Sequence, residues 1–341
     1  MGRRAAEPVV ACARVKSNGP LPHHFMKPFA FVFPGQGSQA VGMLDAWGDH
    51  PVVRQAVVEA SDALGQDLAA LIHDGPKEAL ALTTNTQPVM LLAGVAAYRV
   101  WMAEVGVEPH AVAGHSLGEY AALVAAGALT LTQATPLVRL RAKAMQDAVP
   151  VGVGAMAAVL GMDALRVESI CREVSHAFGA GSLDVVEAAN FNDPAQTVIS
   201  GSRAGVDKAC EVLKAQGAKR AILLPVSAPF HSSLMRPAAE ILKQGLAETK
   251  FSSPRIALIN NIDVAIETDV ARLCDALYRQ SFGPVRWMQS VLAIKARGIE
   301  HLVECGPGKV LAGMVKRIDP TLTGLAVFDP ASLIETRESL A

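Results

Sequence analysis

Five consecutive apolar residues, Phe29-Ala30-Phe31-Val32-Phe33, stop abruptly at Pro34-Gly35-Gln36-Gly37-Ser38. An apolar run this short, with no polar alternation and a glycine-rich end, predicts a strand buried on both faces that runs into a loop. Apolar positions at helical spacing follow at about 51–64 and 88–104. A second short run, His110-Ala111-Val112-Ala113, leads into Gly114-His115-Ser116-Leu117-Gly118. The alanine- and leucine-rich segment from Glu119 to Leu129 then predicts a helix, and another is predicted at about 132–148. Strands alternating with helices imply an α/β fold with a parallel sheet covered on both faces.

The rhythm changes at Gly152. Ala155–Gly161 reads as a strand, Asp163–Phe178 as a helix, Asp184–Ala189 and Gln196–Ser200 as two strands, Arg203–Gln216 as a helix and Arg220–Pro225 as a strand. This order, β-α-β-β-α-β, is the ferredoxin-like split unit. It interrupts the larger pattern, so the predicted organisation is an α/β-hydrolase-like core over 27–150 and 227–341 with a ferredoxin-like subdomain inserted at 152–225. A cleft between the two parts is the natural ligand site.

Composition narrows the class. The 341 residues are 51% hydrophobic and 18% charged, which implies an ordered globular protein. With 31 basic and 32 acidic side chains the formal net charge is −1, and no cluster of lysine and arginine forms a nucleic-acid footprint. No apolar run reaches the roughly 18–20 residues that span a bilayer; the stretch Pro88–Ala97 is stopped by Tyr98 and Arg99. The five cysteines, Cys12, Cys171, Cys210, Cys274 and Cys305, show no metal-binding spacing. Reduced thiols in a cytoplasmic protein are the simplest reading. Residues 1–25, with Arg3, Arg4, Arg14 and Lys16, differ from the rest and read as a disordered tail, with Met26 the more natural start.

Two glycine-rich segments resemble nucleotide loops and fail on context. Gly152-Val153-Gly154-Ala155-Met156-Ala157 precedes a strand instead of opening a helix. Gly306-Pro307-Gly308-Lys309-Val310 lacks both the upstream glycine and the hydroxyl after lysine. Both read as turns.

Gly114-His115-Ser116-Leu117-Gly118 is different, because a GxSxG between strand and helix is a nucleophile elbow. The glycines permit a tight turn that exposes the serine hydroxyl, and the helix start behind it leaves N–H groups free to hold an oxyanion. Serine needs a base. Of the nine histidines, His115 adjoins the serine and is expected to pack beside the turn. His231, on a loop after a core strand, suits the base; position alone is equally compatible with a surface loop histidine. An orienting acid should lie between serine and histidine in a hydrolase. Asp184, Glu187, Asp193 and Asp207 all fall in the insertion, so a dyad completed by a backbone carbonyl is expected instead. Residues 137–146 set Arg139, Arg141 and Lys143 among apolar neighbours. Most such cations are solvated. One aimed into the cleft would present a planar fork to a carboxylate, and Arg141 is the favoured candidate.

These pieces together resemble the malonyl-CoA:acyl carrier protein transacylase family. The resemblance rests on Phe33-Pro34-Gly35-Gln36-Gly37-Ser38-Gln39, Gly114–Tyr120, Arg141, Ala228-Pro229-Phe230-His231, Asn260-Asn261-Ile262-Asp263 and Glu304-Cys305-Gly306-Pro307-Gly308. They run in order over about residues 27 to 330. The resemblance implies Ser116 as the acylated nucleophile and His231 as its base, oriented by the backbone carbonyl of Gln280. It implies an oxyanion hole from the N–H groups of Gln36 and Leu117, and Arg141 as the partner of the malonyl carboxylate. Phe230 resembles the malonyl-selecting version of the motif in related polyketide acyltransferases.

The activity implied by the resemblance is ping-pong transfer of malonyl from malonyl-CoA to the phosphopantetheine thiol of holo acyl carrier protein, in fatty acid biosynthesis. It implies a stand-alone cytoplasmic enzyme, a monomer, with no metal, no bound cofactor, no nucleic acid and no membrane. The alternatives are a discrete acyltransferase serving a polyketide synthase or a malonate decarboxylase, and a GxSxG esterase.

Overall fold

The computed structural model describes residues 26–179 and 181–341, and the tail expected over 1–25 lies outside the described residues. In chain order, β1 (Phe29–Phe33) is followed by helices α1 (Pro51–Leu64), α2 (Leu68–Asp74), α3 (Lys77–Ala81) and α4 (Thr83–Glu104). Next come β2 (Ala111–Gly114), α5 (Gly118–Ala125) and α6 (Leu131–Asp147). A second unit holds β3 (Gly154–Leu160), α7 (Ala164–Ala177), β4 (Val186–Asp193), β5 (Gln196–Ser202), α8 (Arg203–Ala215) and β6 (Arg220–Leu223). The chain closes with α9 (Arg236–Glu248), β7 (Ala257–Ile259), α10 (Val270–Gln280), α11 (Trp287–Ala296), β8 (His301–Cys305), α12 (Val310–Ile318), β9 (Thr323–Val327) and α13 (Pro330–Leu340).

The larger sheet has the order β7-β2-β1-β8-β9, with every pairing parallel. β1 is its central strand, and its composition follows from burial on both faces. Phe29, Phe31 and Phe33 face one side, where Phe29 and Phe31 each meet Trp101 of α4 edge-on at 5.5 Å. Ala30 and Val32 face the other, against Trp287 and Val291 of α11. Each buried phenylalanine contributes about 1.5–3 kcal/mol. From Pro88 to Tyr98, α4 is apolar around its whole circumference because this stretch lies inside the molecule. The sequence places its start near Pro88, yet the helix begins at Thr83. Thr86 Oγ1 donates to the carbonyls of Leu80 (2.7 Å) and Leu82 (3.1 Å), which holds the turn ahead of the proline and puts Gln87 on the helix.

The smaller sheet is antiparallel in the order β4-β5-β3-β6. Along β3, Ala155, Ala157 and Val159 pack under α7 and α8, while Met156 faces the large unit with Phe230. β4 runs four residues past the predicted end at Ala189, through Asn190-Phe191-Asn192-Asp193. The sequence places these residues outside both strands, yet the strand continues because it goes on pairing with β5 as far as Asp193 opposite Gln196, and its backbone also finds partners in the large unit. Phe191 N–H donates to Val285 O (2.9 Å) and Val285 N–H to Ala189 O (2.8 Å). Among the described residues no helix is long and apolar enough to cross a membrane.

Candidate active site

β2 delivers Ser116 to the carboxy-terminal edge of the parallel sheet, beside the Pro34–Gln39 loop that leaves β1. That edge is where open α/β sheets bind ligands. The glycines of the elbow are there for proximity. A Cβ on Gly114 would stand 1.9 Å from the carbonyl carbon of Gly118, and one on Gly118 would stand 2.0 Å from Phe33 O. The left-handed residue is the serine itself, with φ of 54°. Such a conformation costs roughly 1–3 kcal/mol and needs support. Buried Asn261 supplies it, its Oδ1 accepting from Ser116 N–H (2.7 Å) and its Nδ2 donating to Gly114 O (2.6 Å).

His231 reaches the nucleophile from the loop after β6. Its Nε2 lies 2.6 Å from Ser116 Oγ. Its Nδ1 lies 2.9 Å from Gln280 O and 3.2 Å from Gly283 O. Two carbonyls can only accept, so Nδ1 carries the hydrogen and Nε2 is left to accept the serine proton. Burial, then the nearby Arg141 guanidinium, pulls the imidazole down to about 3, so it is neutral at neutral pH. None of the four acids weighed for orientation is on this ring. Glu187 accepts from Ser233 N–H (2.5 Å), and Asp193 accepts from Arg317 Nε (2.7 Å). Asp207 pairs with Arg203, and no contact joins Asp184 to His231 among the described residues.

Arg141 lies on the buried face of α6, whose start is fixed by a capping box between Thr130 and Gln133. It is 2% exposed. Nη1 donates to Gln87 Oε1 (2.7 Å), and Nη2 donates to Gln280 Oε1 (3.1 Å) and Ser116 Oγ (3.2 Å). All three acceptors are neutral, so the cation waits beside the nucleophile without a carboxylate in contact. Arg139 turns elsewhere and donates to Gln66 Oε1 at 2.5 Å.

A cavity of about 630 Å³ opens between the two units and is lined by Gln36, His115, Ser116, Leu117, Arg141, Phe230 and His231. Met156, Asn192 and Val198 of the smaller sheet form its opposite wall. Thr83 Oγ1 holds the Gln36 side chain aside at 3.1 Å. Leu117 caps the start of α5, and its N–H has no hydrogen-bond partner among the described residues, whereas the next three N–H groups are bonded within the turn. His115 packs beside the turn, with its Nε2 2.9 Å from Asn192 Oδ1 and its ring tilted on Trp287. Burial lowers its basicity, so it is neutral as well.

The structure thus brings together Ser116, His231, Gln280, Gln36, Leu117, Arg141 and Phe230. Sequence reasoning assigned no role to Gln87, Glu119, Asn192 or Asn261, which hold these groups in place. The available signal was weak: Glu119 is a charge inside an apolar helix next to the elbow, and Gln87 precedes a proline.

Known proteins align with this arrangement. Residues 30–320 match the acyl transferase domain family. The chain is 50% identical over 309 residues to the malonyl CoA-acyl carrier protein transacylase of Salmonella typhimurium, covering 90% of this chain and 98% of that protein. It resembles the crystal structure of an acyl-carrier-protein S-malonyltransferase from Burkholderia pseudomallei with a TM-score of 0.88 and 59% identity, over 91% of this chain and 99% of that one. A malonyl-transacylase solved in complex with its type II PKS acyl-carrier protein gives a TM-score of 0.88 at 47% identity, over 92% and 100%.

Proposed function

This chain belongs to the acyl transferase family, as a malonyl-CoA:acyl carrier protein transacylase, and we propose that it works by ping-pong transfer through a malonyl-Ser116 intermediate. The observation that carries the mechanism is one hydroxyl with two neighbours. Ser116 Oγ is 2.6 Å from a neutral imidazole nitrogen and 3.2 Å from a buried guanidinium.

The enzyme moves malonyl from coenzyme A to the carrier. Oγ attacks the thioester carbonyl carbon while its proton passes to His231 Nε2. The tetrahedral oxyanion is received by the N–H groups of Gln36 and Leu117, each such donor being worth about 3 kcal/mol. The C–S bond then breaks, and the departing sulfur takes the proton from His231. The pantetheine thiol of acyl carrier protein enters, loses its proton to His231 and attacks the serine ester. Collapse returns that proton to Oγ and leaves malonyl on the carrier. Arg141 pairs with the free carboxylate throughout, and Phe230 limits the space beside it. No metal and no resident cofactor takes part, and the enzyme acts as a cytoplasmic monomer.

An esterase would place a carboxylate on His231 and has no use for a buried cation beside its nucleophile. The test is intact mass after incubation with malonyl-CoA, followed by holo carrier protein. One malonyl group should appear on the protein and then leave. Hydrolysis of p-nitrophenyl esters without a stable malonyl adduct would overturn the reading.

A further inference from the structure

Glu119 touches the site yet has no part in the transfer itself. It lies in the first turn of α5, three residues after the nucleophile, and is fully buried. Its Oε2 accepts from Asn261 N–H (2.9 Å) and from Gln280 Nε2 (3.0 Å). Its Oε1 has no partner among the described residues. The Gln280 amide continues the chain, since its Oε1 accepts from Arg141 Nη2 (3.1 Å) and its Nε2 also donates to Ser116 O (3.0 Å). One side-chain amide therefore stands between a buried carboxylate and the buried guanidinium.

With Glu119 ionised and Arg141 charged, this cluster is neutral while the site is empty. A substrate carboxylate on Arg141 would leave it with one uncompensated negative charge, which is strongly unfavourable in a buried setting. A proton on Glu119 restores neutrality. Oε1 can take that proton without disturbing either hydrogen bond that Oε2 accepts. We propose that binding of a malonyl carboxylate at Arg141 is coupled to uptake of one proton from solvent onto Oε1 of Glu119. Glu119 is then a positioning residue that compensates Arg141 in the empty site and releases it to the substrate.

The other charges around Glu119 are already engaged or neutral. Arg141 approaches from α6, Tyr120 follows in α5, and neutral His231 lies across the site. Asp263, on the loop after β7, has both carboxylate oxygens held by Arg279 at 2.7 Å. Burial pushes Glu119 up to about 7, against the pull of Gln280, Asn261 and Arg141, so protonation is within reach near neutral pH. By linkage, a ligand that raises the affinity for a proton binds more tightly as pH falls. Above the free-state value, malonyl-CoA affinity should weaken by about tenfold per pH unit. Acetyl-CoA, with no carboxylate, should show no such slope.

The inference rests on the malonyl reading, and the experiment separates the two. Ser116→Ala protein is titrated with malonyl-CoA and with acetyl-CoA by calorimetry at pH 8, in buffers of different ionisation enthalpy. Close to one proton should be taken up per malonyl-CoA and none per acetyl-CoA, and Ser116→Ala/Glu119→Gln should show no uptake. An infrared difference spectrum, with the ligand carboxylate labelled with carbon-13, should show a new protonated-carboxyl band from the protein. That readout keeps Glu119 intact, so it decides the matter even where Glu119→Gln does not fold. Tight malonyl binding without proton uptake, uptake that survives Glu119→Gln, or the absence of the carboxyl band would overturn the coupling. Equal affinity for the two thioesters would instead overturn the malonyl reading.

Discussion

Ser116 and His231 both hold left-handed backbone conformations, with φ of 54° and 61°, and their side chains meet at 2.6 Å. For residues with a Cβ this is a strained state that surrounding structure must impose. Here hydrogen bonds from the segment after β7 supply the restraints. Asn261 fixes the serine through its N–H, and the carbonyls of Gln280 and Gly283 fix the imidazole. Asn261 and Gln280 reach the elbow because β2 and β7 are neighbours in the sheet and α10 follows β7, whereas His231 arrives from the loop after β6.

If one imidazole serves both halves of the cycle, His231→Ala must slow both. Loading of malonyl from malonyl-CoA and its transfer to carrier protein should each fall by about 10²–10⁴. Single-turnover measurement of the two steps checks this, and a defect confined to one step would show that another group handles the second proton.

The pH profile of the free enzyme follows from the same burial. Because His231 is pulled down to about 3, kcat/KM for acetyl-CoA should show no acid limb near the ordinary histidine value of about 6.5. A histidine depressed in the folded state contributes stability that is present above its unfolded value and is lost as pH falls toward the folded one. His231→Gln should therefore lose less melting temperature than wild type between about pH 7 and pH 4. A titration near 6.5 in kcat/KM would place the base in a more solvated setting than the structure gives it.

The elbow glycines admit a sharper test. Gly118→Ala sets a Cβ 2.0 Å from Phe33 O, so the β1 backbone itself would have to move. A loss of about 3 kcal/mol or more is expected. Gly313, in α12, has open space within 4 Å of where a Cβ would stand, and serves as control. Gly313→Ala should be neutral or stabilising by about 0.5–1 kcal/mol. Denaturant melts of both variants check the contrast.

Glu187 reaches out of the smaller sheet to accept the Ser233 N–H at 2.5 Å, two residues after the base. Removing it leaves that N–H unpaired, a cost of about 1–3 kcal/mol on the loop that positions His231. Glu187→Ala should lower kcat by roughly tenfold with KM for malonyl-CoA little changed, the equivalent of about 1.4 kcal/mol. Glu187→Gln, which keeps an acceptor oxygen, should recover most of it. A change confined to KM would mean that the subdomain acts on binding alone.

Much of the architecture is legible in the sequence. The unbroken apolar run of β1 demands a sheet covered on both faces, and the change of rhythm at Gly152 marks the antiparallel unit. β7 is not legible, because Ala257–Ile259 is too short to carry a period. The extension of β4 is hidden for a different reason: Asn190, Asn192 and Asp193 are polar yet buried, and their partners lie elsewhere in the chain. Within the site, GxSxG exposes Ser116 directly. Gln280 can enter only through the resemblance, since a backbone carbonyl leaves no mark on residue type. Glu119 and Gln87 leave only a weak trace for the same physical reason as the end of β4: periodicity reports where apolar residues go and does not assign partners to the polar ones enclosed with them.

The Arg141 guanidinium is held by Gln87 and Gln280 and stands 3.2 Å from Ser116 Oγ, with no carboxylate in contact. Malonyl brings the carboxylate that acetyl lacks. Removing one partner of a desolvated charge pair costs about 2–5 kcal/mol. At 1.36 kcal/mol per factor of ten, that is about thirty-fold to several-thousand-fold in rate. Arg141→Ala should lower kcat/KM for malonyl-CoA by such a factor. Acetyl-CoA should hold or improve, because burial still depresses His231 but the added push of the nearby cation has gone. Arg141→Lys should recover only part of the malonyl rate, since a single ammonium cannot span Gln87, Gln280 and a carboxylate as the planar fork does. The quantity to measure is the ratio of the two kcat/KM values in each variant. An equal fall for both substrates would make Arg141 a structural residue and move the search for the carboxylate partner to Arg139.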